Sequence, residues 1–377
     1  MALRPIENDS LKDKSRGIKS VDYSLVVIIL MLLCFGLVMV FSASSANAHY
    51  AHGDATYFFK RQLLWAVAGL VVMWFVSLFS YKKLRRYANL LFTITIVMLL
   101  LVPLIGVEAN GAKRWLGVGS LTFQPSEFAK LTLVLFLARS ITYYPKRVDK
   151  LTDGYLRYLF VILVISCLVL LQPHMSGAIV IAVGGCAVLF AAGFKIRYFI
   201  TTVLCAIPAL LALAISSPYR FKRITSFLDP FSDMLGESWQ IVQSLYAIGS
   251  GGLFGLGLGQ SRQKFLYIPE PQNDFIYAII CEELGFIGAV FVIFLFGLLI
   301  WKGIMIAKDA PDEFSSLTAA GITSLVAVQV LMNIAVVTST MPVTGVPLPF
   351  FSYGGSSLVI LLIEMGILLN ISRHIDK

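Results

Sequence analysis

From Tyr23 to Phe41 the chain runs for nineteen residues without a charged side chain. That feature constrains the fold more than any other. About 20 apolar residues are needed to cross a bilayer as a helix, and a spanning helix satisfies all of its backbone hydrogen bonds internally. The pattern recurs along the chain. Ten apolar blocks are legible, at about 23–43, 62–79, 89–105, 125–140, 156–171, 177–194, 199–216, 275–301, 315–337 and 356–371, the sixth following the fifth across a very tight turn. Only 14% of residues are charged and 58% are hydrophobic, whereas a soluble chain carries roughly 25% charged residues.

Charge sets the orientation. The net charge of +9 comes from 30 Lys and Arg against 21 Asp and Glu. With the N-terminus placed in the cytoplasm, 20 of the 30 basic residues fall on the inner side and 10 on the outer, half of the latter in the stretch 217–274. This bias fits the positive-inside rule and argues against nucleic acid as the reason for the charge. The expected fold is an all-α polytopic integral membrane protein with ten transmembrane helices and both termini cytoplasmic. Residues 1–22 form a cytoplasmic tail and 23–377 one membrane domain, with a long extracytoplasmic loop, 217–274, between helices seven and eight. Basic residues from Lys12 to Lys19 before an apolar run imitate a signal peptide, but the run to Phe41 is too long for one, so an uncleaved anchor is expected.

The five cysteines (Cys34, Cys167, Cys186, Cys205, Cys281) all fall in apolar blocks without a C-x-x-C pair. They read as free thiols packed like small hydrophobes. The four histidines show no metal-ligand spacing. No internal repeat is evident, which disfavours transporters built from two related halves.

Three outer stretches are rich in polar residues, Gly and Pro: Gly106 to Glu127, the 217–274 loop, and Thr338 to Ser357. Such backbone at membrane depth must pack on protein or line a wet cavity. Three of them on one face predict a single extracytoplasmic site assembled from separate loops. Asp274 closes the longest one, immediately before the apolar helix beginning Phe275-Ile276-Tyr277. The plain structural role for such an Asp is to cap that helix. A second role is suggested by Glu270, held nearby between Pro269 and Pro271, and by the bases Arg220, Lys222, Arg223, Arg262 and Lys264, a set suited to an anionic ligand such as pyrophosphate. These bases could equally be a solvated loop surface.

Glu127 and Lys130 stand three residues apart at the start of the fourth block, with Pro125 suited to its first turn. A local ion pair is the plain reading; the cost of ionisable groups at the edge of a span raises the case for function. Arg114-Trp115 reads as an interfacial anchor or as a contact to a substrate's phosphate and sugar. The glycines from Gly249 to Gly259 lack the strand and the G-K-[ST] of a nucleotide loop and read as a flexible or closely packed segment. Glu282, Glu283 and Glu364 lie within apolar blocks and must face the bundle or a cavity, either as interhelical hydrogen-bond partners or as the proton relay of a transporter.

At these residues the chain resembles the SEDS family of FtsW, RodA and SpoVE. The resemblance rests on Asn110-Gly111-Ala112-Lys113-Arg114-Trp115, Gln124-Pro125-Ser126-Glu127-Phe128-Ala129-Lys130, Arg223-Ile224-Thr225-Ser226-Phe227, and Trp239-Gln240 through Gln243-Ser244. It continues in Pro269-Glu270 with Asp274-Phe275-Ile276, Glu282-Glu283-Leu284-Gly285, and Pro347-Leu348-Pro349-Phe350-Phe351-Ser352-Tyr353-Gly354-Gly355-Ser356-Ser357. It covers the chain from about Asp22, and Phe59-Lys60-Arg61-Gln62 is closer to the FtsW/SpoVE branch than to RodA. One departure is His174 in Gln172-Pro173-His174-Met175-Ser176-Gly177, where the family commonly has Asp.

The resemblance implies ten transmembrane helices in the bacterial cytoplasmic (inner) membrane. It implies a peptidoglycan glycosyltransferase that polymerises lipid II, in cell division or sporulation, with the family's essential Asp at Asp274, expected to act as the general base. Substrate contacts would fall on Arg114, Trp115, Glu127, Lys130, Arg220, Arg223, Gln240, Arg262 and Glu270. Implied partners are lipid II and the growing glycan strand, a class B penicillin-binding protein transpeptidase, and other division or sporulation proteins. A divalent cation could share the work at the pyrophosphate, but no ligand cluster is legible. Two other activities fit the same architecture: a lipid II flippase, which would depend on intramembrane acids such as Glu364, and a non-catalytic division scaffold.

Overall fold

The computed structural model describes residues 21–109, 112–118, 121–172, 174–215, 227, 229–231, 236, 238–265 and 267–375. Each of the ten apolar blocks lies in a helix of its own: α1 (Tyr23–His52), α2 (Tyr57–Leu78), α3 (Tyr81–Ile105), α4 (Pro125–Tyr143), α5 (Arg157–Leu170), α6 (Met175–Ala191), α7 (Ile196–Ile215), α9 (Ile276–Lys308), α10 (Glu313–Val337) and α11 (Gly355–Ser372). The fifth and sixth blocks are two helices, joined through 171–174. Local chemistry fixes several starts. Asp22 accepts from the N–H groups of Ser24 and Leu25 ahead of α1. Pro125 opens α4, where its missing N–H costs nothing. Asp312 and Ser315 exchange hydrogen bonds in a capping box at α10.

Helices α4, α10 and α11 form the buried centre. α11 packs along α2, α10 lies against α6, α4 and α9, and α1 closes the ring by packing on α2 and α9. Outer faces carry exposed large apolar residues such as Leu64 and Trp74 on α2, Leu90 and Leu104 on α3, Phe160 on α5 and Phe294 on α9. A belt of that extent is the surface of a protein solvated by lipid. Among the described residues seven helices are long and apolar enough to cross a membrane: α1, α2, α3, α5 with its lead-in from Leu151, α9, α10 and α11. The chain is a multi-pass membrane protein. All five cysteines are free thiols.

The structure departs from the expected fold in three places, and only the first is β. The 106–127 stretch contains a small antiparallel sheet, β1 (Val107–Ala109), β2 (Ala112–Val118) and β3 (Leu121–Phe123), in the order β1-β2-β3. The 217–274 stretch contains a helix, α8 (Trp239–Gly251), whose Ile241, Val242, Ser244 and Ala247 are buried against α9 and α10. The eighth block, expected as one span over 275–301, is broken at Gly285, where φ is 66° and ψ is −166°. A side chain there would run into the backbone of Leu253 and Gly255, so the break and the close approach both require glycine. The stretch beyond the break, 286–308, is about 35 Å long at 1.5 Å per residue and by itself spans a bilayer core.

Candidate functional site

Asp274 lies two residues before α9 and does not cap it. The capping position is Phe275, with no side-chain cap bond, and among the described residues none donates a hydrogen bond to the Asp274 carboxylate. The capping role considered from sequence is therefore not the one it plays. Its backbone is fixed instead. Asn333 of α10 donates from Nδ2 to the carbonyls of Asp274 and Val346, each at 2.8 Å. Ser352 Oγ donates to the Asn273 carbonyl at 2.7 Å and accepts from the Leu348 N–H at 2.7 Å. The Tyr353 N–H donates to the Gln272 carbonyl at 2.8 Å. From α2, Gln62 donates to the Ser352 carbonyl and accepts from the Gly354 N–H, both at 3.2 Å. The loop before α9 is thus stitched to the loop between α10 and α11.

Gly345 brings that second loop against the carboxylate. It has φ of 71°, and a Cβ on it would stand 3.1 Å from Asp274 Oδ2. Glu270 and Phe350 hold φ of 46° and 65°, conformations costly for side-chain-bearing residues and concentrated at functional sites. Glu270 is exposed and accepts from Asn273 Nδ2 at 2.7 Å. Asp274 is only partly exposed. Burial, and then the negative charge of Glu270, push its carboxyl up to about 6, against the opposing pull of Arg114. The group is ionised at neutral pH yet basic enough to accept a proton, the range suited to general-base work.

Arg114 comes from β2, where Trp115 is set opposite Val107 and is half-buried. The guanidinium Nε donates to the Gln172 carbonyl at 3.3 Å, and Gln172 donates to the Leu99 carbonyl at 3.0 Å. The sheet therefore carries Arg114 to the turn between α5 and α6, close enough to Asp274 for their charges to couple. His174, in the same turn, is buried, with Nδ1 3.2 Å from Ser126 Oγ. Its burial, then the charges of Arg114 and Lys130, push it down to about 3, so it is neutral at physiological pH. A neutral His174 adds no charge beside the two cations.

Glu127 and Lys130 are buried and paired at 2.7 Å in the first two turns of α4. They line a cavity of about 30 Å³ together with Gln329, Ser352, Ser357 and Glu364, room for about one water. Glu364, midway along α11, turns a buried carboxyl to the same space. Ser352 belongs to both places, through its side-chain bond to Asn273 and as a wall of the cavity.

The three outer stretches do meet, as the loop pattern predicts. Asp274, Glu270 and Arg114 form the outer part of the site, and Glu127 and Lys130 sit in the deeper cavity. Arg262 is exposed and Gln240 half-buried on α8, and no described contact joins either to Asp274. Arg220 and Arg223 lie outside the described residues. Glu282 and Glu283 serve a third purpose, described below, and Lys264 pairs with Glu283 rather than with any anion site. Sequence reasoning missed Asn333, Gly345 and Gln62. The signal for Asn333 was available, as one of two amides, with Gln329, in the apolar run of α10. Among the described residues no three of His, Cys, Asp and Glu are grouped to hold a metal ion.

The family model for cell cycle proteins of FtsW, RodA and SpoVE matches residues 23–377. Stage V sporulation protein E of Bacillus subtilis is 47% identical over 358 residues, covering 94% of this chain and 98% of that protein. A probable peptidoglycan glycosyltransferase FtsW of Trichlorobacter lovleyi is 42% identical, with 93% of each covered. A solved chain from a peptidoglycan synthase complex, described as coordinating polymerization and crosslinking, superposes with a TM-score of 0.79 at 32% identity, over 94% of this chain and 98% of that one.

Proposed function

The chain belongs to the FtsW, RodA and SpoVE family of cell cycle proteins, and from that premise we propose that it is a peptidoglycan glycosyltransferase that polymerises lipid II at the outer face of the bacterial cytoplasmic membrane. Ten spans, cytoplasmic termini, the 1–22 tail and a single 23–377 membrane domain complete the reading. The observation that carries it is the Asp274 carboxylate: uncapped, partly open, raised to about 6 by burial and Glu270, and faced by Arg114.

In this reading Asp274 accepts the proton of the C4 hydroxyl on the incoming lipid II sugar. The freed oxygen attacks the anomeric carbon of the growing strand, and the undecaprenyl pyrophosphate leaves with inversion of the α-linkage to β. Asn333, Ser352 and Gly345 hold the base in place. Arg114, set by the sheet beside Gln172 and coupled in charge to Asp274, is the proposed contact of the pyrophosphate, and stabilising the leaving charge is often the largest catalytic contribution. Lys130 is engaged by Glu127 in this state, so its part is to shape the cavity wall until the pair separates. Trp115, Gln240, Arg262, Arg220 and Arg223 complete the proposed substrate surface, and a class B penicillin-binding protein is the proposed partner.

A second reading, lipid II translocation, draws on Glu364, a buried acid in mid-span beside the Glu127–Lys130 pair. Purified protein in detergent with lipid II separates the two. The enzyme gives glycan strands that disappear in Asp274→Asn with the fold retained. A translocase gives no polymer, and scrambles lipid II in vesicles in a manner sensitive to Glu364→Gln.

A further inference from the structure

The segment between α8 and Asp274 is inside out for a loop in water. Two of its polar side chains point inward, while those of Gln260 and Arg262 are exposed. Ser261 and Lys264 are buried, as are Glu282 and Glu283 on α9, which they meet. Glu282 accepts from Ser261 Oγ and from the Arg262 N–H at 2.9 Å. Glu283 accepts from Lys264 Nζ at 3.0 Å and from Ser42 Oγ of α1 at 2.7 Å, and Lys264 also donates to the Gly259 carbonyl at 2.7 Å. Its large apolar side chains point outward: Leu253 is 63% exposed, Phe254 79%, Leu258 53% and Phe265 59%.

The backbone is satisfied in the same inward direction. The Leu256 and Gly257 N–H groups donate to the carbonyls of Glu282 and Glu283, and the Phe286 and Ile287 N–H groups donate to the carbonyls of Gly252 and Leu253. The break at Gly285 frees those N–H groups and carbonyls to make the exchange. The result is irregular backbone whose groups are met by protein, as irregular backbone at membrane depth requires. Its outer surface is apolar along 253–258 and at Phe265, with Gln260 and Arg262 as its exposed polar side chains.

Depth and continuity identify the occupant. Asp22, at the foot of α1, meets Lys302 of α9. Ile287, whose N–H donates to the Leu253 carbonyl, stands fifteen residues before Lys302 on α9, about 22 Å at 1.5 Å per residue, which falls within the outer part of a hydrocarbon core about 30 Å thick. Leu253 and Phe254 join Phe286 and Ile287, which are 62% and 55% exposed and continue into the lipid-facing belt of α9 at Val290, Phe291, Ile293 and Phe294. We propose that residues 252–265 are a re-entrant element embedded in the outer leaflet, with Leu253, Phe254, Leu258 and Phe265 in contact with the acyl chains of the bilayer. The expected extracytoplasmic loop is then partly intramembrane, and the site at Asp274 opens at the membrane plane.

Site-directed spin labelling tests this. Single cysteines at 254 and 258, in a background with the five native cysteines replaced, are labelled in the full chain and reconstituted in phosphatidylglycerol–phosphatidylethanolamine vesicles. Accessibility to molecular oxygen is compared with accessibility to a water-soluble nickel chelate. Position 293 supplies the lipid-facing reference and position 149, exposed beyond α4, the aqueous one. The expected result is an oxygen-to-nickel ratio at 254 and 258 that matches 293 and exceeds 149 severalfold. Ratios at both positions equal to that at 149 overturn the proposal. If one variant fails to fold, the other carries the test, and the measurement does not depend on any polymerising activity.

Discussion

Consider Asp274→Asn at pH 7. The carboxyl rises from an ordinary 3.8 to about 6 in the folded protein, chiefly through burial. A raised acid is penalised in its charged form, so ionised Asp274 lowers the stability of the fold. The full shift of about two units corresponds to roughly 3 kcal/mol. Partial exposure screens it, and roughly 1–2 kcal/mol is the expected gain on substituting neutral Asn. The sign follows from linkage: the favourable contribution is whole below the unfolded value near 4 and is lost as pH rises through 6. Wild type and variant should therefore converge near pH 4 and separate by pH 7, with the variant the more stable. Thermal midpoints in detergent at a fixed scan rate should differ by about a few degrees at pH 7. Over the same substitution polymerisation of lipid II should fall by roughly 10²–10⁴. Opposite movement of activity and stability marks a residue kept for chemistry at the expense of the fold. A variant less stable than wild type at pH 7, or a gap that does not shrink toward pH 4, refutes the reasoning.

Other outcomes follow from the same geometry. The polymerisation rate of wild type should drop about tenfold per pH unit below 6, because the base must be unprotonated; a pH profile flat to 5 contradicts it. Asn333→Ala removes a donor shared by Asp274 and Val346 and should cost about 1–3 kcal/mol, with kcat reduced more than KM raised, since the base is misplaced and binding groups are not. Glu127→Gln leaves Lys130 buried without its counter-ion and should destabilise by about 3–5 kcal/mol; the double variant with Lys130→Met should recover most of that, measured as a double-mutant cycle in thermal unfolding. Lys264→Met should cost about 3–5 kcal/mol for the same reason at Glu283, and limited proteolysis should show the 252–265 segment opening.

The helices were legible because each apolar block is long and its neighbours are punctuated by Pro, Gly and charge. α8 escaped notice because Trp239-Gln240-Ile241-Val242-Gln243-Ser244 mixes polar and apolar residues along one short amphipathic turn set rather than forming a run. The sheet escaped because strands of three and seven residues produce no sustained alternation. The break at Gly285 is hidden by unbroken hydropathy on both sides, since a bilayer helix and an interrupted one have the same composition. At the site, the convergence of three outer stretches was legible from Gly and Pro clustering. Its depth was not, because the partners of Asp274, Asn333 and Gly345, lie beyond it in sequence and act through backbone and close packing. Lys264 was read as a free outer cation because its acid partner sits 19 residues away across a turn that only the fold reveals.

The stitching of Gln272, Asn273 and Asp274 to residues 333–353 also fixes when the site comes into being. A ribosome makes Asp274 well before it makes Asn333, Gly345, Ser352 or Tyr353, and the membrane receives the helices in that order. Until α10 and α11 are inserted, the carboxylate has neither its carbonyl clamp nor its wall. A chain that has not yet made residues 333–353 therefore leaves Asp274 unplaced, and the proposed base is aligned only after those helices are in the membrane.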